Sequence, residues 1–144
     1  MKINIIPYNS PSYHNMVALR YKVLRAPLGL DFTPEQLQPD ENRILIGAFQ
    51  EDTLTGCCIL SKESPQLLQL RQMAVDDRFQ GLGIGKMIVD FAEQWAISHH
   101  FSTITLHARY NAVPFYEKLG YIKKGNPFTE VTIEHFVMEK VLSK

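Results

Sequence analysis

Gln80-Gly81-Leu82-Gly83-Ile84-Gly85 stands between an apolar run and an amphipathic one, and its residue types suit the capture of an anion. Glycines at alternate positions take side chains out of a turn, so backbone N–H groups can close on a negative ligand. A helix following such a turn adds the positive end of its dipole. Leu67 to Val75, upstream, reads as a strand. Ile84 to Ser98, downstream, reads as a helix with Ile84, Met87, Ile88, Phe91, Ala92 and Trp95 on one stripe. Strand, glycine turn and helix together make a phosphate-binding unit. The competing reading is a tight strand-to-helix turn that binds nothing.

Two nucleotide loops fit poorly. A Walker A loop needs Gly, four residues, then Gly-Lys-Ser/Thr. Gly85-Lys86 is present, but Gln80 holds the first position and Met87 follows the lysine, so no hydroxyl is placed for magnesium. A dinucleotide fingerprint needs Gly-x-Gly-x-x-Gly and an acidic residue about 20 positions further on. Here the glycines are Gly81, Gly83 and Gly85, and Phe101 to Thr105 holds no carboxylate.

A second block lies downstream, Asn111-Ala112-Val113-Pro114-Phe115-Tyr116-Glu117-Lys118-Leu119-Gly120-Tyr121, after the apolar run Ile104-Thr105-Leu106-His107. Asn111 is a candidate N-cap, Pro114 falls in a first turn where its missing N–H is tolerated, and Gly120 suits the residue after a helix end. A strand, a short helix and a further strand from Tyr121 follow from this. Together the two blocks resemble the GNAT superfamily of N-acetyltransferases. Gln80, Gly83 and Gly85 match its Gln/Arg-x-x-Gly-x-Gly/Ala pyrophosphate loop. Asn111, Phe115, Tyr116, Gly120 and Tyr121 match its Asn-x-x-x-Phe-Tyr-x-x-x-Gly-Phe/Tyr block. The resemblance covers Leu67 to Lys124 closely and the remaining chain more loosely.

The chain has 144 residues, which suits one domain over 1–144 with a real core. Lys plus Arg and Asp plus Glu balance at 15 each, which argues against nucleic acid or an anionic membrane as the main partner. No apolar run approaches the ~20 residues needed to span a bilayer. Pro7 breaks the first apolar stretch too early for a secretory leader. Cys57 and Cys58 are adjacent, poor geometry for a mutual disulfide, and no metal motif is present. Buried thiols in a reducing cytoplasm are expected.

The coarse element order is strand, two helices, three strands, helix, strand, helix, two strands. Lys2–Ile6 is the first strand, and Ser10-Pro11 opens a helix to about Arg25. Thr33-Pro34-Glu35 opens a second, short helix. Strands at Arg43–Gln50 and Thr55–Ser61 are joined through Glu51-Asp52-Thr53. The last strands are expected at Tyr121–Lys124 and about Val131–Val141. This order matches the GNAT fold, an α/β (α+β type) architecture with a mixed, strongly bent sheet of six to seven strands flanked by about four helices. In that fold the fourth and fifth strands splay apart and admit the pantetheine arm of the cofactor. The C-terminal strand, expected at an open edge, offers a surface for a homodimer.

The resemblance implies acetyl-CoA as co-substrate, with no metal, and an acetyl group moved to the primary amine of a small molecule or peptide. Main-chain groups of Met73, Ala74 and Val75 would pair with pantetheine like an added strand. Amides from Gln80 through Gly81, Gly83, Ile84, Gly85 and Lys86 would hold the pyrophosphate. Lys86 adds a charge there or is simply solvated. Asn111 would cap its helix and contact the cofactor, and Phe115 would touch the pantetheine arm or pack in the core. Tyr116 matches the family tyrosine that donates to the coenzyme sulfur; its other reading is a core aromatic. Some relatives carry a glutamate near the position of Gln69, and an amide cannot take a proton. His135, His107, Glu130 or a water chain are the alternatives for the base. Arg20 and Arg25 are candidates for an acceptor carboxylate, or solvated arginines at a helix end. A non-catalytic acyl-CoA sensor on the same fold is the alternative function.

Overall fold

The computed structural model describes residues 1–142. It contains a seven-stranded mixed sheet in the order β1-β2-β3-β4-β5-β7-β6. The strands are β1 (Lys2–Ile5), β2 (Ile44–Gln50), β3 (Thr53–Ser64), β4 (Leu67–Val75), β5 (Thr103–Arg109), β6 (Ile122–Glu130) and β7 (Ile133–Val141). The helices are α1 (Pro11–Arg20), α2 (Pro34–Leu37), α3 (Ile84–Ser98) and α4 (Val113–Lys118). Among the described residues no helix is long and apolar enough to cross a membrane. Two compact units divide the chain: Met1–Ser61 with Gln72–Ala92, and Lys62–Arg71 with Glu93 onward.

In the first unit, local signals start each helix. The Ser10 side chain accepts from the Tyr13 N–H and Pro11 fills the first turn of α1. Thr33 and Gln36 form a reciprocal capping box at α2. The expected helix to Arg25 ends as α-helix at Arg20; Tyr21–Arg25 is a π turn, and Gly29 at φ +70° closes the segment. Antiparallel β1-β2-β3 backs a core of Ile6, Tyr13, Met16, Leu19, Leu45, Leu54, Cys57, Ile59 and Ala74. Both cysteines are free and buried, and burial pushes each thiol up.

Arg20 corrects one expectation. It is not at the surface; its guanidinium is buried against Asp40 at 2.8 Å, and the Tyr13 hydroxyl donates to the same carboxylate oxygen at 2.8 Å. A buried arginine needs such a partner, because a lone ion inside the protein costs several kcal/mol. Arg25 lies over the Phe32 ring at 4.4 Å.

The α3 span matches the sequence reading, but its stripe is rotated. Ile84, Ile88, Val89, Ala92 and Ala96 are buried, whereas Met87 is exposed. Gly56 on β3 explains how closely α3 lies. A Cβ there would meet Ile88 Cδ1 at 2.9 Å, Ile84 Cγ2 at 3.1 Å and the Ala74 carbonyl oxygen at 3.2 Å.

In the second unit, β4 pairs parallel with β5 over Leu67–Leu70 and Thr103–Leu106. The expected edge position of the C-terminal strand is also corrected. β7 pairs with β5 on one side and β6 on the other, so β6 is the edge. Seven consecutive residue pairs along β5 favour that insertion. β6 runs on past Lys124 through an irregularity at Gly125 (φ +74°), and β7 starts at Ile133 because Val131 and Thr132 form the turn.

Gly56→Ala is expected to lower stability by about 1–3 kcal/mol through overpacking of α3 on β3, measured by urea unfolding.

Candidate functional site

In the first unit Gln72, on β4, has a φ of +55°, a left-handed value of the kind found at bulges beside functional sites. Met73, Ala74 and Val75 follow it. The Asp76 N–H then donates to the Thr55 carbonyl at 2.9 Å. The Asp76 side chain caps the 3-10 turn Asp77–Phe79, accepting from the Arg78 N–H at 3.0 Å and from the Arg78 guanidinium. Lys22 Nζ reaches the same carboxylate at 3.4 Å. The Arg78 guanidinium above all holds this carboxyl down, from 3.8 to about 2. Gln80, exposed, donates from Nε2 to the Val75 carbonyl at 3.1 Å, stapling the turn to the strand end.

The glycines sit where the turn needs them. Gly81 has φ +80° and Gly83 φ +77°, values that cost an L side chain about 1–2 kcal/mol. A Cβ on either would meet nothing within 4 Å, so the backbone faces open space. The Met87 N–H donates to the Gly83 carbonyl at 3.1 Å, the first bond of α3. The N–H groups of Ile84, Gly85 and Lys86 precede that bond, as the leading amides of any helix do. Lys86 pairs with Asp90 of its own helix at 3.1 Å.

In the second unit Asn111 is not the helix cap. It lies exposed within the 3-10 turn Tyr110–Ala112, and Ala112 occupies the N-cap of α4 without a side-chain bond. The 3-10 turn continues directly into α4, so the chain has no extended residue at which Asn111 could cap. Pro114 sits in the first turn as expected. Tyr116 is 5% exposed, with the Phe115 ring edge-on at 4.9 Å and the Tyr121 ring at 5.8 Å. Gly120 at φ +96° ends α4, and the Tyr121 N–H returns to the Tyr116 carbonyl at 3.1 Å. The Tyr121 hydroxyl and Lys140 Nζ both donate to Glu93, at 3.0 and 2.9 Å.

Strand alternation puts Thr105, His107 and Arg109 of β5 on one face. Thr105 is the register partner of Gln69, which is buried and accepts from Arg71 at 2.9 Å. His107 is therefore two residues along from Thr105 on the Gln69 face. Its Nδ1 lies 2.9 Å from Glu130 Oε2, and His135 Nε2 lies 3.9 Å from Glu130 Oε1. Phe128 packs against both rings, at 5.1 and 5.9 Å. His135 is 4% exposed, and its Nδ1 lies 2.8 Å from the Ile133 carbonyl. A carbonyl and a carboxylate accept only, so Nδ1 is the protonated nitrogen in both histidines.

The sequence treats His107, Glu130 and His135 as separate candidates; the β6–β7 hairpin brings them together. Its two-residue turn is Val131 (φ +51°) and Thr132 (φ +63°), where asparagine and glycine are the usual occupants. Gln72 carried no sequence signal, since glutamine has no preference for its conformation. Asp76 had a weak one, an acidic residue just before a short turn. Among the described residues no group of three or more His, Cys, Asp or Glu side chains has the geometry to hold a metal ion.

The family described as acetyltransferase (GNAT) domain matches residues 29–142. A streptothricin acetyltransferase of Escherichia coli is 25% identical, over 87% of this chain and 83% of its own length. An uncharacterized N-acetyltransferase of Bacillus subtilis, YitI, is 25% identical over 91% of this chain and 93% of its own. Among solved structures, an aminoglycoside 6'-N-acetyltransferase complexed with coenzyme A superposes with a TM-score of 0.82 at 18% identity, covering 100% of this chain and 98% of that one.

Because the Asp76 carboxyl is held down, its ion pairs stabilise the fold above the ordinary carboxylate range and are lost as pH falls from 3.8 to about 2. Asp76→Asn keeps the cap but not the charge. The variant is expected to be less stable at neutral pH and to lose less stability than the parent across that acid window, followed by circular dichroism against pH.

Proposed function

This chain belongs to the GNAT family of acetyltransferases, and from that premise we propose that it moves the acetyl group of acetyl-CoA to the primary amine of a small molecule, by direct attack in a ternary complex. Residues 1–144 act as one acetyltransferase domain in this reading. The observation that carries it is the unobstructed turn at Gly81 and Gly83 ahead of the 15-residue helix α3. The leading amides of Ile84, Gly85 and Lys86 give a diphosphate what it needs, fixed donors and the positive end of a helix.

The amine nitrogen attacks the thioester carbonyl, the carbonyl oxygen takes up negative charge, and the C–S bond then breaks. Backbone groups of Met73 to Val75 hold the pantetheine arm, and the Val75 carbonyl already accepts from Gln80. Asn111, exposed in its 3-10 turn, and Phe115 contact the coenzyme. Tyr116 gives its hydroxyl proton to the departing sulfur. The proton released by the amine goes to the cluster of His107, Glu130 and His135.

The streptothricin and aminoglycoside acetyltransferases among the similar proteins support a small-molecule amine as acceptor. The balanced charge of the chain supports no nucleic acid or anionic membrane as partner.

Acetyl-CoA at a hundred times its Kd is expected to raise stability by about 2.7 kcal/mol, read by thermal shift. No shift at millimolar ligand overturns the cofactor site. Thiol release with streptothricin or kanamycin tests the acceptor class. Tyr116→Phe keeps the ring packing and removes the acid; kcat is expected to fall ~10²-fold with acetyl-CoA affinity, by calorimetry, unchanged. An equal loss in both assigns Tyr116 to binding instead.

A further inference from the structure

We propose that His107 is the group that takes the acceptor amine's proton, with Glu130 as the positioning residue that fixes its tautomer. The inference rests on the acetyl-transfer reading above and names the base of that site. Three observations on one sheet face carry it. Glu130 Oε2 is 2.9 Å from His107 Nδ1, so the Nδ1–H donates to the carboxylate and Nε2 is left with its lone pair. The His107 side chain is 32% exposed, enough for Nε2 to meet a substrate and later return its proton to water. Gln69, on the same face of the neighbouring strand, is an amide and cannot take a proton.

His135 has the opposite geometry. It is buried, and its Nδ1–H is committed to the Ile133 carbonyl. Its Nε2 faces Glu130 at 3.9 Å rather than open space. His135 and Phe128 form the wall that seats Glu130 and the His107 ring. The turn at Val131 and Thr132 supports this assignment. Two β-branched residues in the left-handed region are costly, and such strain persists where the surrounding structure enforces it. Here it closes the hairpin that delivers both Glu130 and His135 to β5.

The step balances. The ammonium form of the acceptor loses one proton to Nε2 and becomes a neutral amine. The amine forms the N–C bond as the C–S bond breaks, the thiolate takes its proton from Tyr116, and the second proton of the attacking nitrogen restores the tyrosine hydroxyl as the amide forms. The imidazolium then releases its proton to water. The charged or titratable groups on this face are Arg71 on β4, Arg109 on β5, Glu130 and Lys124 on β6, and His135 and Glu139 on β7.

The test uses the full chain with streptothricin and kanamycin as probes. His107→Gln is expected to lower kcat/KM ~10²-fold with acetyl-CoA affinity unchanged. Glu130→Ala is expected to lower kcat with acetyl-CoA affinity unchanged and to let the Nε2–H tautomer of His107 appear by nitrogen NMR, because Nδ1–H loses its acceptor. A purely structural role would lower the rate and leave the tautomer in place. His135→Asn keeps a donor for the Ile133 carbonyl and is expected to leave the His107 tautomer unchanged. Full activity in His107→Gln, or an unchanged His107 tautomer in Glu130→Ala, overturns the assignment while leaving acetyl transfer intact. Nitrogen NMR of the imidazole at pH 8 supplies a readout that needs no acceptor. Nδ1–H with a bare Nε2 is expected, and the reverse tautomer overturns the proposal. A wild-type protein that binds acetyl-CoA but turns over neither probe, with the expected tautomer, places the failure in the acceptor reading; no binding of acetyl-CoA overturns both.

Discussion

The close approach of α3 to β3 at Gly56 sets the position of the glycine turn that precedes the helix. With no side chain there, Ile84 and Ile88 seat directly against β3 and the Ala74 carbonyl. Ile84 is the residue immediately after the glycine turn, so its burial anchors the turn at its downstream end. Upstream, the Asp76 N–H is tied to Thr55, one residue from Gly56. Gln80 adds a side-chain tie back to Val75. The glycine turn is thus held at both ends and open in the middle. A flexible loop would have to be ordered by its ligand, and that ordering costs affinity.

The second unit relies on pairing charges rather than on open backbone. Glu93 receives both the Tyr121 hydroxyl and Lys140, which ties α3 to the strands after α4. Glu130 receives His107 and faces His135. In each case one carboxylate organises two partners from different elements. The first unit follows the same rule at Asp40, shared by Arg20 of α1 and Arg43 just before β2, and at Asp76, shared by Arg78 and Lys22. Breaking the buried Arg20–Asp40 pair costs more than the pair itself contributes, because the remaining charge is stranded. These carboxylates therefore act chiefly as fixers of geometry.

Much of the fold is legible because its signals are local. The span of α3 follows from apolar periodicity, and the start of α1 from Ser10 and Pro11. Gly120 marks the end of α4 through the one conformation that glycine adopts cheaply. Where tertiary context competes, the reading fails. Met87 fits the helical stripe on paper, yet Val89 and Ala96 take the buried positions, because the close seat at Gly56 decides which side of α3 faces the sheet. Asn111 is a good cap by residue type, but a 3-10 turn runs straight into α4 and leaves it no such place. Arg20 looks like a surface cation, and its partner Asp40 is twenty residues away.

By itself, then, the order of residues determined most of the elements, the glycine turn ahead of α3 and the family to which the chain belongs. Each of those rests on residues close in sequence, where backbone preference and spacing act directly. The folded chain alone decided which face α3 buries, that β7 lies inside the sheet, and that His107, Glu130 and His135 meet. Those outcomes depend on strand register and on ion pairs between distant residues, and one step of register would have turned each of these side chains to the opposite face.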